Sequence, residues 1–177
     1  MFHDGRSKKV VFVAHCFLNQ NAISDGTAVY PAVWRDLIEF FMDAHVGIVQ
    51  MPCPELCCLG LDRGDVRGAE RPVAAENTRI RAEMKKAPAQ QKLSELADHV
   101  VEQMAEYDQS GFKILGTIGA NRSPNCGVDT TSDNNEEIPG MGLFIEKIAR
   151  RLHDRGISVP IIGLKGSDAV AQRLRQL

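Results

Sequence analysis

The chain has 177 residues, enough for one domain with a full hydrophobic core, and its 44% apolar and 25% charged content is that of an ordinary soluble protein. A net charge of −2 gives nucleic acid no electrostatic reason to bind, no segment approaches the ~20 apolar residues of a membrane span, and residues 1–9 lack the apolar core of a signal peptide. A cytoplasmic location is therefore expected, where five cysteines point to metal binding or catalysis rather than to a disulfide framework.

Residues 1–8 are a polar lead-in. Residues 10–14 form a β-branched and aromatic apolar run, the mark of a strand buried on both faces of a parallel sheet. His15-Cys16-Phe17-Leu18-Asn19 leaves that strand, and residues 20–27 read as a loop. Residues 30–44 read as a helix, with Pro31 in its first turn and Val33, Leu37, Phe40, Phe41 and Ala44 on the buried face. Residues 45–51 are the second strand, which completes a βαβ unit with a right-handed crossover.

Residues 52–75 are rich in Pro, Gly and alternating charges and read as a long irregular loop, either a flap over a site or a surface excursion. Residues 76–107 are helix-forming with an interruption at Pro88, and the second part turns Leu93, Leu96, Val100, Val101 and Met104 inward. Gly111 caps that helix, and residues 112–118 are the third strand. Residues 127–140 are polar and read as a mobile loop. A helix follows over 141–155, then a fourth strand over 159–164 with Pro160 suited to a sheet edge. A short terminal helix over 168–177 is capped by Ser167 or Asp168.

This alternation predicts an α/β, single-domain, Rossmann-like three-layer fold over residues 1–177, with a mostly parallel sheet of about four strands in the order 2-1-3-4. Ligands of such sheets lie outside the carboxyl ends of the strands. Cys16, Cys53 and Cys126 each follow a strand end by a few residues, and the order 2-1-3-4 brings all three to one rim. Converging thiolates need a cation, and thiolates select zinc, copper(I) or iron–sulfur clusters. Their spacing matches no local metal motif and leaves that choice open.

The segments His15-Cys16-Phe17-Leu18-Asn19, Pro52-Cys53-Pro54-Glu55 and Ser123-Pro124-Asn125-Cys126-Gly127 resemble, in order, three segments of the thiouracil desulfidase (TudS) family, and the chain looks like a diverged branch of it. The resemblance implies a 4Fe-4S cluster on Cys16, Cys53 and Cys126 whose open iron takes the sulfur of a thiolated small molecule. It implies Glu55 as general acid–base and Ser123 as a catalytic positioning or relay group. Asn125 stands where the family has serine, and Asn19 where glycine is common; with Asn121 and Arg122 they are expected to shape substrate binding.

Plainer roles stand beside these. Cys57 and Cys58 read as small hydrophobes, Glu55 as a helix N-terminal carboxylate, Ser123 as a turn opener and His15 as a strand-end residue. Two rival functions follow: a zinc or redox-thiol protein using Cys53, Cys57 and Cys58, and a non-enzymatic small-molecule or sulfur-binding module.

Overall fold

The computed structural model describes residues 2–166, 168–175 and 177. Among these the strands are β1 (Lys9–Val13), β2 (Gly47–Gln50), β3 (Lys113–Ala120), β4 (Thr130–Asp133), β5 (Glu136–Pro139) and β6 (Ile161–Leu164). The α-helices are α1 (His15–Leu18), α2 (Arg35–Asp43), α3 (Pro54–Leu59), α4 (Val73–Met84), α5 (Ala87–Gln109), α6 (Leu143–Asp154) and α7 (Val170–Arg173). The main sheet runs β2-β1-β3-β6 and every pairing in it is parallel. It is the expected order, with β6 as fourth strand because β4 and β5 form an antiparallel ribbon of their own.

The apolar run of β1 explains its central place. Val11, Phe12 and Val13 are fully buried, so both faces of the strand need cover. α5 lies along β3 and against α6, with Ala97, Val100, Val101 and Met104 inside. α2 packs with α7 and buries Leu37 and Phe41. Right-handed crossovers place α2 on one face of the sheet and α5 and α6 on the other. Pro88 lies in the first turn of α5, where a missing N–H costs nothing, so residues 73–109 form two helices.

Four expectations give way. The helix expected over 30–44 begins only at Arg35, because the backbone before it is bonded elsewhere: Trp34 N–H donates to the Phe17 carbonyl, and the Ala32 carbonyl accepts from Gln20 N–H. Residues 52–75 are not one irregular loop, since α3 starts directly after Cys53 and α4 begins at Val73. The expected mobile loop over 127–140 contains the β4–β5 hairpin, whose turn residues Asn134 and Asn135 have φ of 51° and 62°. Two left-handed residues in succession make the turn whose twist matches a hairpin. At the C-terminus, Ser167 lies outside the described residues, and Asp168 accepts from Lys165 N–H rather than capping α7.

Candidate active site

All four strands of the main sheet run parallel, so their carboxyl ends share one edge, and the segments leaving them line a cavity of about 400 Å³. His15 and Cys16 follow β1; Cys53, Pro54 and Glu55 follow β2; Asn121, Arg122, Ser123 and Cys126 follow β3; Lys165 and Gly166 follow β6. A further wall is residues 22–34, tied down by polar contacts. Gln20 Nε2 donates to the Cys16 carbonyl at 2.7 Å while its Oε1 accepts from Val29 N–H at 3.0 Å. Tyr30 Oη donates to the Gly166 carbonyl at 2.9 Å, and its ring stacks on Trp34, so this wall presents an aromatic surface.

Each cysteine is held by a different device. Cys16 sits in the short helix α1. Cys53 is the N-cap of α3, and its Sγ accepts from Leu56 N–H at 3.5 Å. Cys126 ends a tight loop in which Ser123 Oγ accepts from Cys126 N–H at 2.9 Å and Asn125 N–H at 3.3 Å. That loop folds back so closely that a side chain at Gly119 would strike the Cys126 carbonyl, and one at Gly127 would strike the Thr130 carbonyl. The hairpin and α4 brace it: Arg122 N–H donates to the Thr130 carbonyl, Ser132 Oγ to the Arg122 carbonyl, and Arg81 to the Pro124 carbonyl.

All five cysteines are free thiols. Burial pushes Cys16 up to about 12, with further upward pressure from Cys53 and Glu55. Burial likewise pushes Cys53 up to about 11, followed by Glu55, against the pull of the Leu56 N–H and the Arg63 guanidinium. Cys126 lies well above the usual thiol range through burial and then the charges of Cys53, Cys16 and Glu55, opposed by a hydrogen bond from Ser123. The three side chains thus feel one another, and without a cation all three stay protonated at neutral pH. Among the described residues, no three His, Cys, Asp or Glu side chains converge on a point that would hold a single ion.

Glu55 is buried and almost saturated. Its Oε1 accepts from Asn125 Nδ2 at 3.0 Å; its Oε2 accepts from Ser24 Oγ at 3.2 Å and from Arg63 Nε at 3.1 Å. Arg63 was not among the residues singled out from the sequence. Its side chain is only 3% exposed. The guanidinium also donates to the carbonyls of Ala22, Gly60 and Leu61, and approaches Cys53 Sγ at 3.8 Å. No local signal marks it, because it sits in a charge-rich stretch that reads as solvated. Its left-handed backbone, with φ of 54°, is legible only in the fold.

The remaining candidates separate. Asn121 and Arg122 line the cavity. Asn121 is occupied with the loop, accepting from Val128 and Asp129 N–H and donating to Asp129. Asn125 is fully buried behind Glu55 rather than on the cavity wall, and its Oδ1 has no partner among the described residues. Asn19 is off the wall as well, where its side chain accepts from Asn21 N–H and caps a 3₁₀ turn. His15 is on the wall with Nε2 unpartnered, and burial followed by the nearby Arg63 charge holds it below the usual histidine value. Cys57 is exposed and Cys58 donates toward the Ala89 carbonyl; neither lines the cavity.

No family model matches the chain. A protein of Methanocaldococcus jannaschii, the uncharacterized protein MJ0003, is 24% identical over 157 residues, which are 89% of this chain and 86% of that protein. Among solved structures, the 4Fe-4S-dependent thiouracil desulfidase TudS is similar over 93% of this chain and 95% of its own, at 16% identity and a TM-score of 0.45. No helix among the described residues is long and apolar enough to cross a membrane.

Proposed function

We propose that the protein is an iron–sulfur desulfidase-like enzyme that removes sulfur from a thiolated small molecule. One observation carries the reading: cysteines from three separate strand ends line one cavity, beside a buried carboxylate. The donor set fits the implied cluster. Buried thiols that would repel one another as thiolates are relieved by a cation, and thiolates are the donors that hold iron–sulfur clusters. When bound on Cys16, Cys53 and Cys126, a 4Fe-4S cluster supplies a soft Lewis acid with an open position for the substrate sulfur.

The chain's own residues supply the rest. A carboxylate offers about four acceptor positions. Three are filled at Glu55, two of them on Oε2, which leaves Oε1 with room for one more donor. That donor is the water that replaces sulfur on carbon: as its oxygen bonds to carbon and the C–S bond breaks, Glu55 Oε1 takes one of its protons and the other leaves with the sulfur as hydrosulfide. Arg63, Ser24 and Asn125 fix the carboxylate's direction. Ser123 acts as a positioning residue, its hydroxyl engaged with the Cys126 loop. The Tyr30–Trp34 wall covers the apolar body of the substrate and keeps bulk water out.

Anaerobic reconstitution with iron and sulfide tests this. Brown protein with about four irons per chain is expected, with sulfide released from 2-thiouracil or another thiocarbonyl compound. Replacing Cys16, Cys53 or Cys126 by Ala abolishes iron retention, while Cys57→Ala keeps it. Glu55→Gln keeps the iron and loses roughly 100-fold or more in turnover, the scale of a lost general base. Protein that stays iron-free sinks the reading. Iron-loaded protein that binds thiocarbonyls without releasing sulfide returns the site to a binding module.

A further inference from the structure

We propose that a second, smaller cavity beside the first is a water port: it supplies the water that Glu55 activates while the substrate fills the larger cavity, and Ser24 and Asn77 are its positioning residues. This rests on the desulfidase reading for the reaction that uses the water; the water site itself is argued from separate observations.

Hydrolysis of a C–S bond consumes a water at every turnover. The mouth of the larger cavity is a poor source, because the substrate and the Tyr30–Trp34 wall together close it to bulk solvent. The smaller cavity, of about 30 Å³, lies between residues 24–27 and residues 68–77 and shares Ser24, Thr27 and Asn77 with the larger one. That volume takes about one or two water molecules. Its lining is graded. Asp25, Gly26 and Ala69 are exposed, whereas Ser24, Glu76 and Asn77 are buried. The passage therefore leads from solvent to the wall that the two cavities share.

The inner end carries acceptors that the protein leaves open. Ser24 Oγ donates to Glu55 Oε2 at 3.2 Å, and nothing among the described residues donates to it. Asn77 Nδ2 donates to the Arg122 carbonyl at 3.3 Å and to Ser132 Oγ at 3.2 Å, while nothing among the described residues donates to its Oδ1. Glu76 is already taken up by Arg71 at 3.0 Å and Arg79 at 2.6 Å. Polar groups buried beside a small polar cavity are satisfied by water as a rule. A water that donates to Ser24 Oγ and Asn77 Oδ1 stands one hydroxyl away from the general base.

The walls keep the passage narrow without closing it. A side chain at Gly68 would strike the Glu76 carboxylate, and one at Gly26 would meet Ala69 Cβ at 3.5 Å, so small residues face each other at the outer end. Thr27 N–H and Oγ1 both donate to the Ser24 carbonyl and hold the turn on the opposite wall. A large side chain at position 69 caps the port from outside, away from Glu55 and the cysteines.

A high-resolution crystal structure of the iron-loaded protein is expected to show an ordered water within hydrogen-bond distance of both Ser24 Oγ and Asn77 Oδ1. Steady-state kinetics of sulfide release from 2-thiouracil, or from whichever thiocarbonyl compound is turned over, read its use. Ala69→Trp is expected to lower kcat roughly 10-fold or more, because a reactant loses its held position, with KM, iron content and melting temperature unchanged. Ser24→Ala is expected to lower kcat by a similar roughly 10-fold or more, the range of a hydrogen bond to a charged group, and Ser24→Thr, which keeps the hydroxyl, retains most of the rate. A smaller cavity without that water, or an Ala69→Trp variant as fast as the parent protein, overturns the port while sulfide release leaves the desulfidase reading standing. The water in place in protein that releases no sulfide from any thiocarbonyl compound supports the water site and overturns the desulfidase reading.

Discussion

Arg63 is a buried cation whose donors are all spoken for, and its partner Glu55 is buried as well. Such a pair adds little net stability over apolar residues of the same shape, but breaking it from one side strands a charge. Arg63→Ala is expected to lower stability by about 3–5 kcal/mol, and combining it with Glu55→Gln should cost much less than the two single changes summed. Urea midpoints for the two single variants and the double variant measure this. Additive losses would mean that the guanidinium serves the carbonyls of Ala22, Gly60 and Leu61 rather than the carboxylate. The sequence hides this residue. It stands between Asp62 and Gly64 in a run of alternating charges, and burial of an arginine there depends on the Glu55 carboxylate and on the Ala22 carbonyl, 41 residues away. The three cysteines and Glu55 were legible because their neighbours in sequence already form the recognisable segments.

The β4–β5 hairpin is the element that fixes the Cys126 loop, through Thr130, Thr131 and Ser132. Its turn depends on Asn134 and Asn135 in left-handed backbone, which asparagine tolerates and alanine does not. Replacing both by Ala should cost about 1–2 kcal/mol per residue and speed alkylation of Cys126 in iron-free protein. Asn135→Gly should be neutral or mildly stabilising. Unchanged Cys126 reactivity in the Ala variant would separate the hairpin from the site. This element escaped the sequence reading because Thr-Thr-Ser-Asp and Glu-Glu-Ile-Pro lack the apolar alternation that marks a half-buried strand. The Asn-Asn pair between them was the available signal. The central strands were legible for the opposite reason, since an apolar run such as 10–14 has few other places to go. The overlong helix over 30–44 arose because apolar residues at helical spacing also occur in an extended segment whose backbone is claimed by Gln20 and Phe17.

At the scale of the molecule, three parallel strands each deliver one thiol to the same rim, so folding concentrates three groups that are ordinarily apart. The folded chain keeps the Cys16 proton up to about 12 and the Cys53 proton up to about 11, against an ordinary thiol value of 9.0. Below pH 9 both states hold these protons and the contribution is intact. As pH rises above about 9 the unfolded chain sheds thiol protons that the folded chain retains, so stability falls with rising pH through that window. Iron-free protein should lose about 1 kcal/mol per raised thiol by pH ~10. A Cys16→Ala, Cys126→Ala variant should show a flatter fall in urea midpoint over the same range. Equal slopes would mean that the thiols are not in the buried setting described.

The place of β1 in the middle of the sheet has a consequence for how the chain is made. One side of β1 pairs with residues 47–50, but the other waits for residues 113–120, so every shorter nascent chain carries an open, strongly apolar strand edge. Open edges of this kind invite wrong partners. The ribosome must therefore release more than half of the polypeptide before that edge is covered, and chaperones have that interval in which to guard it.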